Sequence, residues 1–408
     1  MLRMGSKSII AIFAVFALCT CIDPYLPKLN GYESLMVVEG QVTDENTSYE
    51  IKITNTYQEQ GAISGVINDA IVSISDDDGL NYQLNNTGNG VYKTDNTRFI
   101  GIIGKTYILH IITHDGSEYE SEPCLMNYVP DIDSLYFEKR QELINNGTQT
   151  QEGIRIYLDS KEGEINQYLR WDYVETWKFK VPSPKKFNYI NDSVVVPVNK
   201  VNEYCWKIVN SNEVLVHSVY SGQTGRIEKE PILFIPTNES DRLLMQYSIL
   251  VRQYSVSKTE YDFWNNMKQV NEAGGDIFAK QPFTVVSNIH NINNPKERVL
   301  GYFQVSAVQQ KRKTIPFSEI VGLNLPYYHY PCERIEMAPK DYPWPPLAPP
   351  LTMDDIYKMY TSSGYTFVEA IQDQVTLKVQ KLVFAKPECA DCELTGTSEK
   401  PDFWVDLN

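Results

Sequence analysis

Between residues 34 and 125, apolar and polar positions alternate with a period of two, and turn residues interrupt the alternation at short intervals. In "SLMVVEGQVTD", Met36, Val38 and Val42 fall on one face; in "YEIKIT", Tyr49, Ile51 and Ile53 oppose Glu50, Lys52 and Thr54. A strand with one buried face requires this spacing, because successive side chains point to opposite sides. "DAIVSISDDDG" reads as a strand running into a turn. "KTYILHIITHDGSEYESEP" reads as a hairpin around Asp115-Gly116, a dipeptide suited to a type I′ turn. Six to eight short strands in about 95 residues predict an immunoglobulin-like β-sandwich over residues 34–128.

The stretch "NYVPDIDSLYF" at 127–137 reads as a joint, after which a larger β-rich domain with a few helices is expected over 129–408. In "DRLLMQYSILVRQYSVS", Met245, Tyr247, Ile249 and Val251 alternate with Gln246, Ser248, Leu250 and Arg252. One helix announces itself by a capping box, with Ser257 as N-cap and Glu260 reaching back from the third helical position. Phe263, Met267 and Val270 follow at helical spacing, and Gly274-Gly275 ends the run. A second short helix is expected from Thr352, with Asp355 as its capping acid, ending before Gly364. Between 338 and 351, "APKDYPWPPLAPPL" carries six prolines with Tyr342 and Trp344. It suits neither helix nor central strand, so extended polyproline II is expected. Its two aromatic side chains make it a candidate binding surface, or else a rigid crossover strap. No fixed-period repeat occurs, so a solenoid is not expected.

The N-terminus follows a different pattern. Arg3 and Lys7 precede an unbroken apolar run from Ile9 to Leu18. That run is about half the ~20 residues needed to span a bilayer, and it reads as the core of a signal peptide. It ends in Leu18-Cys19-Thr20-Cys21. The spacing resembles a bacterial lipobox, with a large aliphatic residue three before the modified cysteine and a small one just before it. Cys21 fits and Cys19 does not, because bulky Leu18 would sit beside it. Residues 1–20 are thus expected to be removed, Cys21 to be lipidated and 21–33 to form a tether. Two or three acyl chains hold firmly where one does not. The formal charge is −15, and loss of Arg3 and Lys7 makes it more negative by two. Such an acidic chain argues against nucleic-acid binding and against adhesion to anionic lipid.

Candidate chemistry is sparse. Asp76-Asp77-Asp78-Gly79 lacks the alternating ligands and distant acidic clamp of a calcium loop and reads as a solvated hairpin tip. His110 and His114, four apart on a strand, lie about 13 Å apart, too far to share a metal. No nucleophile elbow, HExxH, phosphate loop or dinucleotide fingerprint is present. No catalytic residue, cofactor or metal is assigned, and an enzyme is not expected. Past the lipid site the cysteines are Cys124, Cys205, Cys332, Cys389 and Cys392. In an exported protein they are expected to form structural disulfides, with zinc binding or a CxxC redox motif at 389–392 as alternatives.

Several stretches, taken in order, resemble the Bacteroidota outer-membrane lipoprotein family catalogued as domain of unknown function 4249. They are "CIDPYLP", "LMVVEGQVTD", "IDSLYF", "YLRWDYVETWKF", Cys205-Trp206, "YSILVRQYSVSKTEYDFWNNMK", "NPKERVLGYFQVSAVQQKR" and "CADCELTGTSEKPDFW". The resemblance covers essentially the whole mature chain. It implies an outer-membrane lipoprotein encoded beside a TonB-dependent, SusC-like receptor. The expected role is an accessory or capture subunit in nutrient uptake, for a small-molecule or peptide ligand. A structural or adhesive envelope protein is the alternative. The resemblance leaves the face of the membrane undecided and supplies no catalytic residue. Cys205, Cys332, Cys389 and Cys392 lie in matching stretches and Cys124 does not. Two bridges are therefore expected among those four, with Cys389 and Cys392 each reaching a distant partner and Cys124 left reduced. Asp133-Ser134-Leu135 and Asp192-Ser193-Val194 resemble a Bacteroidota O-glycosylation pattern, which makes Ser134 and Ser193 candidate sites.

Overall fold

The computed structural model of the chain describes residues 34–56, 65–144, 147–163, 167–191, 194–219, 225–273, 286–341, 351–376 and 378–407. The signal run, the tether, Cys19 and Cys21, Ser193, and Tyr342 and Trp344 with most of their proline-rich segment lie outside these residues.

The N-terminal alternation becomes ten strands: β1 (Met36–Val42), β2 (Glu50–Asn55), β3 (Gly65–Val66), β4 (Ile71–Asp76), β5 (Asn81–Gln83), β6 (Asn85–Gly88), β7 (Val91–Lys93), β8 (Thr106–Ile112), β9 (Glu118–Ser121) and β10 (Cys124–Leu125). Two strands from much later in the chain, β20 (Ile289–Asn291) and β21 (Val299–Val305), complete them. One sheet runs β21–β1–β2–β7–β6 with β3 against β2. The other runs β20–β9–β8–β4–β5 with β10 against β8. The faces predicted by the period of two are the buried ones: Val38, Val42, Ile51 and Ile53 meet Val72, Ile74, Leu109 and Ile111 in one core. Phe99 plugs one end, its ring centroid 5.8 Å from Tyr49, 4.7 Å from Tyr82 and 5.6 Å from Tyr107.

The sandwich thus takes two of its strands from 289–305, well past the joint expected at 127–137. β1 and β21 pair in parallel from Met36↔Val299 to Val42↔Val305, and β20 pairs with β9. The joint itself is short, because "IDSLYF" is already strand and β11 (Ile132–Ile144) begins inside it. The hairpin at Asp115-Gly116 also differs from expectation. Gly116 has φ +85° while Asp115 stays out of the left-handed region, and Thr113 N–H donates to Ser117 O at 3.0 Å. That is a type I turn followed by a left-handed glycine. The Asp115 carboxylate holds it by accepting from the Thr113 hydroxyl at 2.5 Å and from Ser117 N–H at 3.1 Å. At the acidic tip, the Lys105 ammonium sits 3.1 Å from Asp76 Oδ2 and 2.5 Å from Asp78 Oδ2.

The larger body adds β12 (Gln149–Ser160), β13 (Tyr168–Lys180), β14 (Phe187–Asn191), β15 (Val194–Pro197), β16 (Tyr204–Asn210), β17 (Leu215–Ser218), β18 (Ile227–Pro236), β19 (Gln246–Val256) and β22 (Val308–Pro316). β11, β12 and β18 form one sheet; β16–β13–β19–β22 form another, with β17 also on β13. β19 is covered on both faces. Its alternation therefore marks two packed surfaces rather than core against solvent. Fully buried Gln253 on β19 accepts from Trp171 Nε1 at 2.9 Å and donates to Pro130 O at 2.7 Å and Ser160 Oγ at 3.0 Å. It thereby anchors the joint to this sheet. The core of the sandwich continues without a break into that of the larger body.

Helices α1 (Lys258–Ala273), α2 (Phe317–Val321), α3 (Met353–Ser362) and α4 (Pro387–Ala390) complete the described elements, with a sheet of β23 (Ile335–Met337), β25 (Val379–Ala385) and β24 (Thr366–Gln372). α3 starts at Thr352 with the full capping box: Thr352 Oγ1 accepts from Asp355 N–H and Asp355 Oδ2 accepts from Thr352 N–H. It buries Ile356 against Phe367, Leu382 and Phe384. α1 keeps half of its predicted box. Ser257 Oγ accepts the Glu260 N–H at 3.1 Å, but the Glu260 carboxyl turns inward instead of returning to the cap. The described start of the proline-rich segment, Pro339–Asp341, is a 3-10 turn and not polyproline II. Asp341 Oδ2 accepts the Ala338 N–H at 3.2 Å and closes it.

Two disulfides fasten the C-terminal segment, Cys205–Cys392 and Cys332–Cys389, and Cys124 is free. Beyond Cys392 the tail straps the outer face of the five-stranded sheet. Trp404 packs on Trp206 at 6.2 Å, and Gln246 holds Val405 O at 2.7 Å and Leu407 N–H at 2.8 Å. Asp406 takes Lys178 and Lys400, each at 2.9 Å.

Candidate functional site

The structure separates most of the residues singled out from sequence. The four bridged cysteines form two pairs and no common metal cluster. Ser134 lies within β11, half-buried, and its hydroxyl donates to Asp159 Oδ2 at 2.6 Å. Its hydroxyl is thus already engaged in a strand rather than presented on a turn.

What the fold brings together instead is a cleft of about 350 Å³ where four parts of the chain meet. β10 and the following loop supply Cys124 and Tyr128. The start of β13 supplies Gln167 and Tyr168, and the first turn of α1 supplies Glu260. Asn288 and Tyr302 come from the returning sandwich strands. Tyr128 and Lys258 are exposed at the rim, whereas Gln167, Glu260, Asn288 and Tyr302 are buried at the floor. Several floor groups are fixed. The Asn288 side chain brackets the backbone of Phe303, accepting from its N–H at 2.9 Å and donating to its O at 2.8 Å. Tyr302 OH donates to Thr259 Oγ1 at 3.2 Å. The Tyr168 ring lies 5.0 Å from Tyr261.

Two titratable groups of the cleft are displaced from their ordinary behaviour. The Cys124 thiol is pushed up to about 12, chiefly by burial and then by the nearby Glu260 charge. It stays a thiol, with Glu122 O 3.2 Å away as acceptor, and is a poor nucleophile. The Glu260 carboxyl, 2% exposed, is raised to about 7 by burial, with the Arg170 guanidinium opposing the rise. Trp264 and Ser306 stand beside it. Among the described residues, Glu260 Oε1, Gln167 Oε1, Trp264 Nε1, Ser306 Oγ and Arg170 Nε are buried without a hydrogen-bond partner. Arg170 is held by rings instead, 4.4 Å over Tyr254 and 5.0 Å over Trp264. Further along α1, Phe263, Trp264 and Met267 face Val37 and Leu300 across a more apolar groove of about 490 Å³.

The raised carboxyl makes stability depend on pH. A group whose folded value lies above its unfolded value stabilises fully below the unfolded value, near 4.5, and loses that contribution as pH rises through about 7. Glu260→Gln removes the charge while keeping the shape. The variant is expected to gain on the parent as pH rises from 5 to 8, by up to about 3 kcal/mol at pH 8. Guanidinium midpoints at the two pH values check this, and a difference independent of pH sinks it.

Sequence reading missed this cleft because its lining comes from segments up to about 180 residues apart, joined only by the return of β20 and β21. The available signals were the odd cysteine and the acid at the third position of α1.

No curated protein matches the chain. One family does, over residues 22–312, a span that takes in every residue of the cleft and stops short of Cys332, Cys389, Cys392 and α3. The resemblance seen in the tail beyond 312 is therefore not part of that match. Since the matched span exceeds half of the chain, the protein belongs to the family described as Domain of unknown function (DUF4249).

Proposed function

We propose that this protein is a lipid-tethered capture subunit that works beside a TonB-dependent, SusC-like receptor in the outer membrane, presenting a ligand to it. The observation that carries this reading is the cleft at the head of α1. It is a concave site with a few convergent polar groups and aromatic walls, the ordinary form of a small-molecule site. Two described passages cross between sandwich and larger body near it, at 126–131 and 305–308. A shared core backs them. This builds the cleft on rigid elements rather than on loops. A protonated, half-buried thiol suits binding better than acyl transfer, which needs an activated nucleophile held by a base. The Leu18–Thr20–Cys21 spacing supports the tether.

Two measurements test the reading. Cys21→Ala should release the protein from the membrane fraction or leave unprocessed precursor, whereas Cys19→Ala should change nothing; lipid labelling that survives in Cys21→Ala refutes the anchor. Affinity purification of the tagged lipoprotein from detergent-solubilised membranes should bring down a TonB-dependent receptor in stoichiometric amount. Recovery of the lipoprotein alone would instead favour an envelope-structural role.

A further inference from the structure

We infer that the outward face of the β20–β9–β8–β4 sheet binds a first-row divalent metal ion, zinc in the first place, between His110, Glu120 and His290, with Glu122 beside them and Ser75 steadying His110.

The register brings these residues together. His110 on β8 stands directly opposite Glu120 on β9, and Glu120 stands directly opposite His290 on β20. Their neighbours along the strands, Leu109, Ile111, Tyr119, Ile289 and Asn291, are buried. The period of two therefore turns the three polar side chains outward together. Strands lie about 4.8 Å apart, which puts the two histidines about 10 Å from each other with Glu120 between them. Two imidazoles can span that gap over a central carboxylate, because each metal–nitrogen bond itself adds about 2.0–2.1 Å. β20 joins from the returning segment, so no sequence spacing announces the group.

The donors already stand in pairs at close to ligand spacing. His110 Nδ1 lies 3.6 Å from Glu120 Oε2, and His290 Nδ1 lies 3.9 Å from Glu122 Oε1. Both distances are too long for a hydrogen bond. They are near the edge of a tetrahedral zinc site, about 3.4 Å between two ligand atoms. The other ring nitrogen of His110, Nε2, is 2.7 Å from Ser75 Oγ. That contact leaves Nδ1 to face Glu120 and supplies the outer hydrogen bond that a ligating imidazole ordinarily has. Among the described residues, histidines are the ion-pair partners of both carboxylates, and no lysine or arginine stands within reach of either. Imidazole and carboxylate together suit zinc, copper or nickel better than calcium or magnesium, which take oxygen ligands. As the side chains stand, no three donors of the described residues meet at one point. Binding therefore requires one movement, in which the half-exposed His290 side chain turns from Glu122 to Glu120. The ion then joins β8, β9 and β20 and fastens the returning strand to the sandwich.

The test uses the untagged mature protein in detergent, stripped of metal and titrated calorimetrically with Zn2+ and, as a control, Ca2+. One equivalent of zinc should bind and raise the melting temperature, since a ligand held only by the folded chain stabilises it. Calcium should do neither. His110→Ala, His290→Ala and Glu120→Gln should each weaken zinc at least tenfold while melting like the metal-free parent. Ser75→Ala should weaken it about tenfold, as loss of an outer hydrogen bond does. His114→Ala, in the turn beyond β8, should change nothing. The Co2+ form should show visible d–d bands and no thiolate charge-transfer band. Unchanged zinc affinity in His110→Ala, His290→Ala or Glu120→Gln overturns the site. So does a thiolate band, which would move the metal to Cys124. A parent that melts normally and binds no zinc overturns it too, and leaves the capture reading where it stands.

Discussion

Gly301→Val is expected to prevent the sandwich from closing, and Gly301→Ala to cost it about 3 kcal/mol or more. Two separate effects act at this position. The backbone has φ +87°, a conformation that costs an ordinary L-residue of order 1–3 kcal/mol. In addition, a Cβ here would lie 1.9 Å from Val38 O and 2.8 Å from Val38 C. Those are backbone atoms of the neighbouring strand, so no side-chain rotation relieves the clash. The strand that must move is β21, whose parallel pairing with β1 covers Met36 to Val42. Its displacement would unseat Phe303 and Val305, both buried in the common core. It would also carry off Tyr302, and with it one wall of the cleft. Hydrogen exchange should locate the damage: protection lost over 36–42 and 299–305, with 168–180 and 246–256 retaining theirs. A denaturant midpoint for Gly301→Ala equivalent to less than about 1 kcal/mol of loss would contradict the argument.

The same strand shows where reading from sequence succeeds and where it stops. The buried faces of β1 and β2 were legible, because Met36, Val38, Val42, Tyr49, Ile51 and Ile53 follow a local rule of alternation. The Thr352–Asp355 capping box was legible for the same reason, since every group that makes it lies within four residues. β21 is largely apolar, but which strand it joins is decided by contacts more than 250 residues away, and nothing in "RVLGYFQV" names β1 as its neighbour. Gly301 is the local trace of that pairing, and as an isolated glycine it could equally have marked a bulge. Glu260 failed differently. Its spacing from Ser257 satisfies the capping-box rule, and the backbone half of the box forms. The carboxyl is nonetheless drawn inward beside Arg170, Trp264 and Ser306. Tertiary surroundings overrode a weak local preference. A residue that departs from its local rule in this way is where a functional site is to be sought.

Removing the Cys205–Cys392 bridge is expected to cost more than removing Cys332–Cys389, and to have a consequence the second lacks. The bridges close 187 and 57 residues of separation. In the chain-entropy account that corresponds to about 5 and about 4 kcal/mol. The shorter loop lies inside the longer one. With the inner bridge intact the outer closes a shorter effective loop, but the logarithm makes that correction small. The distinguishing consequence is local. Cys392 is tied to β16, and the strap that follows it depends on that tie to stay across the sheet. Without it the strap keeps only its non-covalent ties: the Thr397–Trp206 bridge, the Trp206–Trp404 contact, the Gln246 hydrogen bonds and the exposed Lys178–Asp406 pair, the last worth little. Alanine at both Cys205 and Cys392 should therefore lower the guanidinium midpoint and also shift tryptophan emission to the red under native conditions, as Trp206 and Trp404 become wet. Alanine at both Cys332 and Cys389 should lower the midpoint and leave the emission where it was. Equal losses from the two pairs, with no change of emission in the first, would show that the tail is held by packing alone and that its bridge contributes only through the unfolded chain.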